Sequence, residues 1–185
     1  MYAADSRERQ GPSRLGVGAA CRPLGRQPGG GKERSKIVAD GFLYVASSWR
    51  NLLYEGVVEV LKVAKIPHYD FKHPALGNDG FHWREIDGGW QTWTPSVYRQ
   101  ALEHPYACSG FRCDMDALKA CTRLLLVLPC GRSAHLELGY AIGAGKETII
   151  YYPETEQLEP ELMYKAAPHL CVTMGEVLAC LGVPN

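Results

Sequence analysis

The sequence lacks any apolar run long enough to cross a bilayer. Its longest aliphatic stretch, Leu124 to Pro129, falls far short of the ~20 residues that a spanning helix needs. The first residues lack the ~7–15-residue apolar stretch of a secretory signal. Neither an integral membrane protein nor a secreted one is expected. Net charge is missing as well, with 20 Lys and Arg against 20 Asp and Glu, but the balance is uneven. Residues 1–36 hold eight basic and three acidic groups, whereas the remaining 149 hold twelve and seventeen. An acidic body offers no broad attraction to polymeric nucleic acid, so a small ligand is the expected partner. No two of the seven cysteines (21, 108, 113, 121, 130, 171 and 180) have the two-residue spacing of a zinc knuckle or redox pair. No metal site is expected, and the thiols are expected to be reduced and structural, as in the cytoplasm. Cys121, Cys171 and Cys180 sit in apolar stretches, where a thiol acts as a small hydrophobe.

The chain has enough apolar residues, 46% of 185, to build one core. Residues 1–36 contribute little to it. They hold seven Gly, three Pro and six Arg with no periodicity, and are expected to form a disordered basic tail. Residues 37–185 are expected to be a single domain. Phe42–Ser47 reads as a buried strand. Leu53, Val57, Val60, Leu61 and Ala64 recur at helical spacing and predict the buried face of a helix. His68–Phe71 reads as a second strand after Pro67. Residues 74–95 form a long Gly- and Trp-rich connection, a length more often functional than idle. Helices over 95–103 and 110–121 lead to the uninterrupted aliphatic run Leu124–Leu128, which predicts a central parallel strand covered on both faces. A helix 133–144, a strand 148–152, a short helix 160–166, a strand 169–172 and a helix 174–181 follow. Five strands with intervening helices imply a doubly wound α/β sheet.

Ligands of such sheets bind beyond the carboxyl ends of the strands. The loops 46–51, 70–82 and 129–137 gather there, which brings Asp70, Phe81 and Trp83 into consideration. Gly131, Arg132 and Ser133 open a helix, where free N–H groups favour an anion; Ser133 is equally a natural N-cap. Glu137 shares a face with Ser133 among Leu136, Leu138 and Ala141. It is either a functional carboxylate or a first-turn Glu favoured by the helix dipole. His135 lies on another face, within reach of a ligand at the helix mouth. Asp116 aligns with Lys119 and Arg123 on a solvated stripe, whereas Asp114 aligns with Ala117, Leu118 and Cys121 on the inward one. Two inward carboxyls, Glu137 and Asp114, suit a division into nucleophile and proton donor at a glycosidic bond.

The segment Asp114-Met115-Asp116-Ala117-Leu118 is followed by Leu126-Val127-Leu128-Pro129-Cys130-Gly131-Arg132-Ser133-Ala134-His135-Leu136-Glu137-Leu138-Gly139-Tyr140-Ala141 and then Gly145-Lys146. Together with the Gly80-Phe81-His82-Trp83 insert, these residues resemble the nucleoside 2-deoxyribosyltransferase family over about 42–181. The resemblance implies a flavodoxin-like fold, strand order 2-1-3-4-5, that cleaves the N-glycosidic bond of a nucleoside or its 5′-monophosphate without a metal or organic cofactor. Glu137 matches the nucleophile and Asp114 the Asp beside the departing base. Ser47, Ser48 and Trp49 match the loop that lines the pocket. A homo-oligomer, dimer or larger, is implied in the same way. The chain departs from the family at Thr122, where an Asp is usual. Gly131-Arg132-Ser133 stands where transferases often carry an acid, and looks like the phosphate cradle of related nucleotide hydrolases. The sugar is therefore expected to pass to another base or to water. The Trp-rich insert either stacks a base, caps the pocket or only packs over the sheet edge. A sensing module that binds a nucleotide without turnover is the rival reading.

Overall fold

The computed structural model describes residues 41–157 and 159–183. The expected tail, residues 1–36, lies outside the described residues. The strands are β1 (Leu43–Ala46), β2 (His68–Asp70), β3 (Arg123–Val127), β4 (Glu147–Tyr151) and β5 (His169–Cys171). All neighbours pair in parallel, in the order β2-β1-β3-β4-β5. This is the doubly wound α/β arrangement that the alternation of strands and helices predicts, in the flavodoxin-like order that the family resemblance implies. The helices are α1 (Tyr54–Val63), α2 (Pro95–Ala101), α3 (Pro105–Ala120), α4 (Arg132–Gly143) and α5 (Met174–Cys180).

Side chains alternate across a strand, so each face of the sheet builds its own core. Leu43 and Val45 of β1 join Leu125 and Val127 of β3 under α1 and α5. Tyr44 and Ala46 join Leu124 and Leu126 under α3 and α4, with Leu118, Ala134, Leu138 and Ala141 from those helices. Leu124–Val127 are completely buried, as the aliphatic run predicts. Truncating one of these leucines to Ala costs about 2–5 kcal/mol. The Cys113, Cys121, Cys130, Cys171 and Cys180 thiols are free, whereas Cys108 is disulfide-bonded, against the expectation of reduced thiols. Among the described residues, no helix is long and apolar enough to cross a membrane.

Several boundaries differ from expectation, each for a local reason. Helix α1 buries Tyr54, Val57, Val58 and Leu61, an i, i+3, i+4, i+7 stripe, and leaves Val60 only partly covered. Helix α3 begins at Pro105, five residues before the expected start. Pro105 fits the first helical position, and His104 caps the turn by accepting from the Tyr106 N–H at 3.2 Å. The short helix expected at 160–166 is a 3-10 turn over Leu162–Ala166. The 74–95 connection holds two more such turns, Trp83–Glu85 and Trp90–Thr92.

Candidate functional site

The site lies on the α3/α4 face, over the middle of β1 and β2. Parallel register sets Tyr44 of β1 beside Tyr69 of β2, and their rings stack at 5.2 Å with 21° between planes. Helix α3 brings Asp114 to this pair and α4 brings Glu137. The Tyr69 hydroxyl donates to Asp114 Oδ1 at 2.7 Å and also lies 3.4 Å from Cys113 Sγ. The Tyr44 hydroxyl is directed toward the Glu137 carboxylate. Two carboxyls from separate helices thus face the buried phenol of Tyr44 and the half-buried phenol of Tyr69.

Burial decides how these groups titrate. Glu137 is pushed up to about 8, chiefly by loss of water and further by the charge of Asp114, while the Tyr44 hydroxyl pulls the other way. Burial also raises Asp114, partly offset by the Tyr69 hydrogen bond. Both phenols are held well above the usual tyrosine range, mainly by burial and further by the neighbouring carboxylates, and remain hydrogen-bond donors. Glu137 therefore holds its proton near neutrality beside the charge of Asp114. That combination supplies one carboxylate and one carboxylic acid in a single place. Among the described residues, no group of three or more His, Cys, Asp or Glu side chains is arranged to hold a metal ion.

Beside Asp114 is a cavity of about 150 Å³, bounded by Tyr69 of β2, Phe71 just after it, Phe81 of the insert, and Tyr106, Cys113 and Asp114 of α3. A wider groove of about 920 Å³ runs along β5, between Tyr152, Tyr164 and Leu170. None of the residues singled out in the sequence lines that groove.

The remaining expected site residues divide by what their polar atoms already do. Ser47 donates to the Val127 carbonyl at 2.9 Å and accepts from Asn51 Nδ2 at 3.0 Å, tying the ends of β1 and β3 together. Ser48 accepts from the Arg50 N–H in its own turn at 3.2 Å. Asp70 is buried and accepts from the Tyr54 hydroxyl at 2.7 Å and the Lys72 N–H at 2.9 Å. Trp49 is partly exposed, packs edge-on to Phe71 and lies 4.2 Å from the His82 ring. Phe81 lines the cavity, and Trp83 stands behind it among Phe81, Trp93 and Tyr98.

Gly131, Arg132 and Ser133 are exposed at the start of α4. Gly131, not Ser133, occupies the N-cap, because Arg132 is already helical and the Gly131 carbonyl accepts the His135 N–H. The first-turn N–H groups therefore have no intrahelical acceptor behind them. His135 is engaged through both ring nitrogens, Nδ1 with the Gly131 carbonyl at 3.0 Å and Nε2 with the Tyr164 hydroxyl at 2.9 Å. Cys130, 3.5 Å from His135 Nδ1, is pushed up to about 12 by burial and by Glu137.

Sequence reasoning missed Tyr44, Tyr69 and Tyr106. The signal was a tyrosine at the middle of each of the first two strands, one pleat apart from the apolar face. In comparisons with known proteins, no family model and no curated sequence matches the chain.

Proposed function

We propose that this protein cleaves the N-glycosidic bond of a nucleoside or its 5′-monophosphate, with Glu137 as nucleophile and Asp114 as proton donor. The observation that carries the proposal is the desolvated Asp114–Glu137 pair, in which burial raises both carboxyls and the charge of Asp114 raises Glu137 further. In the productive microstate the proton is on Asp114. The Glu137 carboxylate attacks C1′ of the sugar, and the C1′–N bond breaks with its electron pair leaving on the base. Asp114 delivers its proton to that base. The resulting glycosyl ester on Glu137 is then opened by water or a second base, and the Asp114 carboxylate accepts the proton of the incoming group. Tyr44 and Tyr69 hold the two carboxyls in place and stabilise whichever is charged.

The exposed start of α4 suits a 5′-phosphate. First-turn N–H groups, the helix dipole and the Arg132 guanidinium all favour an anion at that end. The chemistry calls for no metal or organic cofactor. We place the enzyme in the cytoplasm, as a homo-oligomer with a small-molecule substrate.

Glu137→Gln keeps the side-chain shape and removes the nucleophile. Turnover of a panel of nucleosides and monophosphates, read by chromatography, falls by roughly 10³-fold or more in the variant while its circular dichroism is retained. With a 2-fluoro sugar analogue the wild type gains the mass of one glycosyl group at Glu137. An adduct mapped to another residue, or a wild type that binds nucleotides and never cleaves them, refutes the proposal. The second outcome is what a sensing module gives.

A further inference from the structure

The cavity beside Asp114 has a size and a lining that the bond-breaking step alone leaves unused. Its volume of about 150 Å³ is well below the ~300–1,000 Å³ of a site that engulfs a whole small molecule. An engineered protein cavity of ~150 Å³ takes up one benzene. The cavity is open on one side, so a single six-membered ring fills its enclosed part and a fused bicyclic ring would have to project from the mouth past Phe81. The lining suits a flat heterocycle. Phe71, Phe81 and Tyr106 offer ring surfaces, while Ser109, Asp114 and the Tyr69 hydroxyl offer polar atoms for a ring edge.

The wall made by the insert is fixed on both sides. Tyr106 donates its hydroxyl to the Gly80 carbonyl at 3.2 Å, and its ring lies 5.1 Å from that of Phe81. Gly110 sits inside α3, a position where Gly costs a helix about 1 kcal/mol relative to Ala. A Cβ there would stand 3.0 Å from two Phe81 carbons, so the absence of a side chain is what lets the Phe81 ring lie on the helix. Gly80 has φ +74°, and a Cβ on it would come 2.5 Å from the Phe71 carbonyl oxygen and 2.9 Å from Trp49. The ring of Phe81 is thus packed on Gly110 of α3 and held by the Tyr106 and Trp83 rings, while Gly80 turns the chain beside Phe71 and Trp49.

We infer that this cavity seats the departing base, and that the fixed Phe81 wall selects monocyclic pyrimidine bases over bicyclic purines. The departure of the base rests on the proposed glycosidic chemistry; the ring selectivity is a property of the cavity itself. A pyrimidine carries a carbonyl at C2, next to the glycosidic N1. When the C1′–N1 bond breaks, the electron pair spreads onto that oxygen. The proton of Asp114 passes to it, leaving Asp114 ionised and Glu137 esterified to C1′.

The test titrates free uracil and free adenine into the Glu137→Gln chain by calorimetry, so that binding is read without turnover. Wild-type kcat/KM is then compared for 2′-deoxyuridine and 2′-deoxyadenosine 5′-monophosphates. Uracil binds at least ~10-fold more tightly than adenine. Adding Phe81→Ala brings the two to within about threefold by admitting adenine. Phe81→Leu, which keeps an apolar contact with Tyr106 and Trp83, gives an intermediate ratio should the alanine variant misfold. Equal affinities, no heat from either base, or an unchanged ratio in the Phe81 variants overturns the inference. Uracil selectivity without cleavage of either monophosphate removes the glycosidic proposal and leaves the pyrimidine site standing. Cleavage of both monophosphates with equal kcat/KM does the reverse.

Discussion

Replacing Glu137 by Gln has a second consequence, in stability, that measures how the acid pair is built. Glu137 moves from its ordinary 4.5 to about 8 in the fold, first through burial and then through the charge of Asp114. A carboxyl whose folded value exceeds its unfolded one holds its proton more tightly when folded. Folding stability is therefore complete below about pH 4.5 and declines as pH rises through about 8. At about 1.4 kcal/mol per pKa unit, the whole decline is on the order of 5 kcal/mol. This is an upper value, because Glu137 keeps some access to water. It is still a large share of the ~5–15 kcal/mol that holds a typical domain together. Gln has nearly the same shape and does not ionise. The variant matches wild type at about pH 5 and exceeds it by roughly 2–5 kcal/mol at about pH 8.5. Urea unfolding followed by circular dichroism across that range, with midpoint and slope fitted at each pH, reads the difference. Asp114→Asn removes the neighbouring charge, so its stability falls less steeply over the same window. Parallel pH profiles for wild type and Glu137→Gln would refute the desolvated pair.

The same titration limits catalysis: kcat/KM falls on the alkaline side with a midpoint near about 8, where the pair loses its proton, and a profile flat to about pH 9.5 contradicts an Asp114–Glu137 acid. Arg132→Ala lowers the monophosphate-to-nucleoside ratio of kcat/KM by roughly 10-fold or more, the size of one charge-assisted phosphate contact, and an unaltered ratio places the phosphate elsewhere. The Thr148 hydroxyl is buried in β4 with no hydrogen-bond partner among the described residues. Thr148→Val keeps the branched shape and removes the orphaned polar atom, which raises stability by about 1 kcal/mol in urea unfolding; a loss of stability argues against that account.

The amino-acid sequence by itself determined the alternation of elements, because the signals involved are local. The Leu124–Leu128 run marks a strand buried on both faces, and helical spacing separates inward Asp114 from exposed Asp116. The same spacing turns Glu137 toward the sheet. Those residues were legible because a helix repeats every 3.6 positions wherever it lies in the fold. Other features depend on which segments meet. Register between β1 and β2, which no single strand encodes, puts Tyr44 against Tyr69. Only the approach of α3 to α4 under that pair lets burial and the charge of Asp114 raise Glu137. Asp70 and Ser47 stand at strand ends where ligands bind, yet long-range contacts engage them, Asp70 with Tyr54 and Ser47 with the Val127 carbonyl. The insert carries no periodicity to read; its place was decided by Gly110, where a missing side chain lets Phe81 close against α3, and by Gly80, which passes tightly beside Phe71 and Trp49. Desolvation, register and close approach are properties of segments distant in the chain, and they exist only once the chain has packed.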